Sequence, residues 1–131
     1  MLSENAVMSA MVVQRKMYGA LSELQETTIE LSDALKRQDQ VSFRLYLGLR
    51  QDAINQLVEY QAALKKQCAG LSDADRDRLE KILTGDATAE QDSEKRLIDL
   101  VKKNKNSLER IIQQDRMVNQ RLGGKKSFYR N

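Results

Sequence analysis

The residues of this chain that could do chemistry are few, and their types limit what that chemistry can be. The sequence holds no histidine. That removes the usual Ser-His or Cys-His relay, the ordinary near-neutral general base and any His-containing zinc site. A carboxylate or lysine mechanism stays open in principle, but the acidic side chains are scattered and form no visible acid/base pair. Cys68 is the only cysteine, so it makes no internal disulfide and no thiolate cluster, which fits a reducing compartment. It falls on an apolar ladder with only Lys65 and Lys66 nearby to favour a thiolate, and reads as a small buried side chain rather than a nucleophile. Gly123-Gly124-Lys125-Lys126 lacks both the spacing of a phosphate-binding loop and a strand before it. The chain is expected to be no enzyme and to need no cofactor or metal.

The elements that position these residues read as helices throughout. There is no proline and no tryptophan, and aromatic residues make up 5% of 131. The core must come from Leu, Ile, Val, Met and Ala, a mix that favours helix over sheet. A first helix is predicted from Glu4 to Arg37, its stripe including Met8, Met11, Tyr18, Leu21, Leu24, Leu31 and Leu35. Gly19 weakens it by roughly 1 kcal/mol against Ala, or marks a close backbone approach. After a break at Gln38-Asp39, with Asp39 as cap, a second helix runs from Gln40 to Cys68. Phe43, Leu47, Ile54, Leu57, Leu64 and Cys68 form its 4-3 ladder, with Arg50 and Gln61 completing the steps. A short connection between two long helices implies an antiparallel hairpin. Gly70 ends the second helix, Ser72 caps a short third one carrying Leu79, Ile82 and Leu83, and Gly85 ends that. Thr88 is the expected cap of a last helix running to Leu122. The expected fold is all-α: a long hairpin, a short third helix and a long C-terminal helix in an elongated bundle. Residues 1–122 form one helical domain and 123–131 a basic, aromatic tail.

That last helix carries the clearest pattern. Leu97, Val101, Leu108, Ile111, Val118 and Leu122 recur at steps of four and three, and such a seam must pack against other helices, its own or a partner's. Asn104 and Asp115 stand where apolar residues are due. A buried Asn can fix register, whereas a buried unpaired Asp is costly. The cheaper explanation is a face partly exposed in the free protein that closes against a partner. The candidate partner-binding residues are therefore Val101, Leu108, Ile111, Ile112, Val118 and Leu122, with Phe128 and Tyr129 of the tail. Ordinary core filling accounts for Met1, Met8, Met11, Met17 and Met117, although methionine surfaces also suit varied partners.

Charge is uneven: residues 1–68 are neutral, 69–96 carry −3 and 97–131 carry +6. Acids at helix starts and bases at helix ends match the helix dipole, and this explanation is preferred for the helices. A basic patch for an acidic partner or a nucleic-acid backbone is the alternative. Lys125, Lys126 and Arg130 beside Phe128 and Tyr129 combine charge with stacking, as in single-strand binding, but a tail without function or a peptide docking signal is equally consistent. Glu4 precedes any apolar run, and the longest early run is Ala10-Met11-Val12-Val13. No signal peptide or membrane-spanning helix is expected, and the location expected is cytoplasmic.

Two long N-terminal helices with a polar break, a weaker middle and a long C-terminal helix resemble the bacterial flagellar export chaperones of the FlgN and FliT type. The residues carrying the resemblance are Leu35-Lys36-Arg37-Gln38-Asp39 at the break, Leu47, Arg50-Gln51, Ile54, Leu57 and Leu64 along the second helix, and Asn119-Gln120-Arg121-Leu122 before Tyr129. Gly19, Gly48 and the Lys-Lys-Ser-Phe-Tyr ending have no counterpart in that pattern. The resemblance implies a cytoplasmic chaperone that keeps a hook-associated or cap subunit unassembled and escorts it to the export machinery, binding through its amphipathic C-terminal helix. Two other readings are a helical adaptor or homodimeric structural bundle, and a helical nucleic-acid-binding protein using the basic end.

Overall fold

The computed structural model describes residues 2–121, which form four helices and no strand. Helix α1 spans Glu4–Lys36, α2 Gln40–Ala69, α3 Asp73–Leu83 and α4 Asp92–Arg121. The three long helices reach ~45 to 50 Å at 1.5 Å per residue. Ser3 caps α1 by accepting the Ala6 amide at 3.2 Å. Asp39 caps α2 through the Ser42 amide at 3.0 Å, and Ser72 caps α3 through the Asp75 amide at 3.4 Å, as the sequence predicts. Between α1 and α2 the Gln38 amide donates to Leu35 O at 3.1 Å and the Asp39 amide to Ala34 O at 2.9 Å. This is the Schellman closure, and it holds Gln38 at φ +58°.

The start of α4 differs from the expectation. Thr88 caps nothing; the helix begins at Asp92. Residues 86–91 carry the chain back from the end of α3 to the start of α4, and their groups have other partners. Ala87 is buried in the core, and the Thr88 carbonyl accepts Arg78 Nη2 at 2.7 Å.

Helix α1 lies between α2 and α4. Gln67 near the end of α2 bonds to Ser9 O near the start of α1, so that pair is antiparallel. Gln91 bonds to Leu2 O, Asn104 to Gln14 and Arg121 to Ser32, so α4 runs parallel to α1. Every seventh residue of α1 from Val7 faces inward as far as Thr28, and the buried set Ala10, Leu24, Leu31 flanks that line. Met8 and Tyr18, expected on the stripe, are exposed, and the Lys103 ammonium sits 4.5 Å from the Tyr18 ring centre. Gly19 faces open space, so no close approach explains it.

No Cα of α2 comes within 8 Å of one in α4, and none of α3 within 8 Å of one in α1. The helices thus sit at the corners of a square, with α1 and α3 on one diagonal and α2 and α4 on the other. Helix α3 has 11 residues where its neighbours have 30. It fills the fourth corner only at the end of the bundle where α1 begins. There Leu79 and Ile82 close a large cluster with Val7, Leu64, Leu97 and Val101. Toward the other end the core thins to Leu21, Leu24, Ala53 and Ile111, then to Leu31, Ala34 and Phe43.

Candidate functional site: the open fourth corner

Helix α3 is antiparallel to α2 and parallel to α4. Arg76 Nε donates to Cys68 O at 3.3 Å, while Leu83 and Thr84 share a cleft with Leu64 and Lys65. Arg78 meets Glu94, and Lys105 Nζ donates to Thr84 O at 3.3 Å. The strip of α4 that meets α3 therefore includes Glu94 and Lys105. Ile112 follows Lys105 by one heptad and continues that strip beyond the end of α3. On α2, Val58 stands one heptad before Lys65 in the same way. From Lys105 to Arg121 the fourth corner is open over ~24 Å of helix.

Apolar side chains reach solvent along this slot, beside the exposed Gln61 and Lys105. Leu108 is 39% exposed, Ile112 43% and Val58 59%. Ile54 and Leu57 are half-buried behind them, packed on the Ile111 cluster. At the α1–α2 turn a cleft of ≈ 630 Å³ is lined by Leu35, Phe43, Arg44 and Leu47. It lies toward the end where Arg121 Nη1 donates to Ser32 Oγ at 3.2 Å.

The two polar steps of the α4 seam have partners within the chain. Asn104 Nδ2 donates to Gln14 Oε1 at 2.8 Å and to Gln14 O at 3.0 Å, in the core between α1 and α4. Asp115 forms an ion pair with Arg50 of α2, both largely buried. Burial pushes the Asp115 carboxyl above the usual range, and the Arg50 charge offsets this only in part. This pair crosses the α2–α4 diagonal and ties the two helices where their backbones are far apart. The expectation that these residues lie on a face awaiting a partner is replaced by internal pairing.

The candidate partner-binding residues accordingly separate. Val101, Ile111 and Val118 are buried in the intramolecular core. Leu108 and Ile112 border the slot. Leu122, Phe128 and Tyr129, with the boundary drawn after residue 122, lie outside the described residues. Spacing along α2 does not single out Val58, because it lies off the ladder; its place one heptad before Lys65 is a signal only once α3 is seen beside Lys65.

At the closed end, Glu94 is buried. Its Oε1 accepts Arg78 Nη2 at 2.6 Å and the Glu90 amide at 3.0 Å. The Arg78 hydrogen bond, against the cost of burial, holds its carboxyl below the usual range. These bonds lock α3 to α4. Cys68 is buried, and desolvation raises its thiol, with Glu80 adding to the effect. Such a thiol packs rather than attacks. Among the described residues, no three Cys, Asp or Glu side chains are grouped to hold a metal ion, and no helix is long and apolar enough to cross a membrane. Comparison with known protein families, curated proteins and solved structures gave no match.

Proposed function

We propose that this protein is a binding chaperone of the flagellar export type, which receives a helix of its client in the open fourth corner and so keeps that client from assembling early. The observation that carries the reading is the short α3, 11 residues beside neighbours of 30, which leaves Leu108, Ile112 and Val58 exposed beside a core that lacks a fourth wall along most of its length. A client helix there removes its own apolar face and that of the slot from water together, which is helix-in-groove recognition. Release needs no turnover by the chaperone. A hook-associated or cap subunit is the client class that the sequence resemblance implies, and the cytoplasm is the compartment in which such a client must be held.

The test uses two neighbouring substitutions. Ile112→Asp puts a charge on the exposed wall and should abolish capture of a hook-associated or cap subunit while circular dichroism stays helical. Ile111→Asp puts the charge into the core and should unfold the domain. Binding that survives Ile112→Asp rules out the slot. A bundle closed by a second copy is the rival reading, because an open corner also suits self-association. It predicts a dimer by mass in solution that Ile112→Asp converts to monomer.

A further inference from the structure

Resting on the slot reading, we propose that the open corner selects a client helix of about four turns with an apolar face and acidic flanks. The α2 rim is one heptad strip, Arg44, Gln51, Val58 and Lys65, with two cations and no anion. On the α4 side, Lys105 begins the rim, and Lys102, Glu109 and Arg116 form the next strip outward. One acid therefore faces five bases. Among the described residues none of Arg44, Lys65, Lys102, Lys105 and Arg116 is in an ion pair. Arg76 and Arg78 at the closed end, by contrast, are both paired with carboxylates.

Charge also discriminates between occupants. The slot of a second copy has the same basic rims, and residues 123–131 carry Lys125, Lys126 and Arg130 with no acid. Either would bring like charge to like charge. A helix with Glu or Asp beside its apolar face meets opposite charge on both walls, which raises encounter rate and penalises wrong partners.

The experiment titrates the full chain with two synthetic helices of ~18 residues, a length that spans the slot. Both carry the same Leu/Ile face; one has Glu at the flanks, the other Lys. The acidic helix should bind at least about tenfold tighter at low salt, with the gap narrowing as salt screens the rims. Arg44→Glu with Arg116→Glu leaves three bases against three acids on the rims and should abolish the preference in a chain that circular dichroism shows still helical, and Ile112→Asp should remove binding of the acidic helix. Equal binding of both helices overturns the charge selection and leaves the slot reading standing. Binding of neither, by the intact chain or by a chain ending at Leu122, overturns both. Persistence of acidic-helix binding in Ile112→Asp places the helix elsewhere and overturns the proposal. A dimer that neither helix disrupts makes a second copy the occupant. A chain ending at Leu122 that binds both helices, where the intact chain binds neither, makes residues 123–131 the occupant.

Discussion

Glu94 and Asp115 stand on the same heptad line of α4 and behave oppositely. Glu94 is buried with its charge compensated by Arg78; removing Arg78 strands that charge. Arg78→Ala should cost about 3–5 kcal/mol, a large part of a small domain's stability, measurable by urea unfolding. The pH dependence follows from the two directions. A carboxylate held below its unfolded value, as Glu94 is, adds stability that is complete above about pH 4.3 and is lost as pH falls through the folded value. Asp115 is held above its unfolded value, so its contribution rises as pH falls through that raised value. Glu94→Gln should therefore flatten the acid limb of a stability–pH curve. Asp115→Asn should steepen it between the ordinary and the raised value. Apolar side chains divide in the same position-dependent way. Leu31 is fully buried, and Leu31→Ala should cost about 2–5 kcal/mol. Leu57 is half-buried at the open corner, and Leu57→Ala should cost less than about 2 kcal/mol in the same assay.

At the scale of the elements, local signals in the chain are read with little loss. Ser72 and Asp39 are caps, Gln38 ends α1 and turns the chain into the hairpin, and the ends of α1, α2 and α3 fall within about a residue of expectation. Each of these depends on groups a few residues apart. The start of α4 is displaced because Thr88 is drawn to Arg78, ten residues away. The polar steps of the seam are misjudged for the same reason: Gln14 is 90 residues from Asn104 and Arg50 is 65 from Asp115. Spacing says that a face is apolar; it does not say which distant side chain answers its exceptions. Nor does the brevity of α3 reveal which corner it fills, and the slot depends on that placement. Two backbone positions offer a check on the local reading. Gly19 is helical with open space around an added Cβ, and Gln38 holds a left-handed conformation that glycine adopts freely. Gly19→Ala and Gln38→Gly should each stabilise by up to about 1 kcal/mol, and the reverse sign at either would show that its backbone environment is wrongly described.

For the whole molecule, stability is uneven along the bundle axis. The large cluster at the closed end holds α4 through Leu97, Ile98 and Val101, whereas its other half relies on Ile111, Val118 and the Asp115–Arg50 pair. Native-state hydrogen exchange should show the amides of residues 111–121 opening at lower free energy than those of residues 97–104. Uniform protection along α4 would contradict this gradient.

The parallel pairing of α1 with α4 bears on how the chain is made. Leu2 meets Gln91 and Ser32 meets Arg121, each across 89 residues. The α1–α2 hairpin needs only a short loop to close and can form as soon as both helices leave the ribosome. The helix it must hold is synthesised after it. During translation the hairpin therefore waits with one whole flank of α1 uncovered, and the stretch of message downstream of it encodes the segment that covers it. A stalled or prematurely terminated message would release a sticky two-helix fragment, a natural substrate for proteolysis rather than a weakened version of the finished protein.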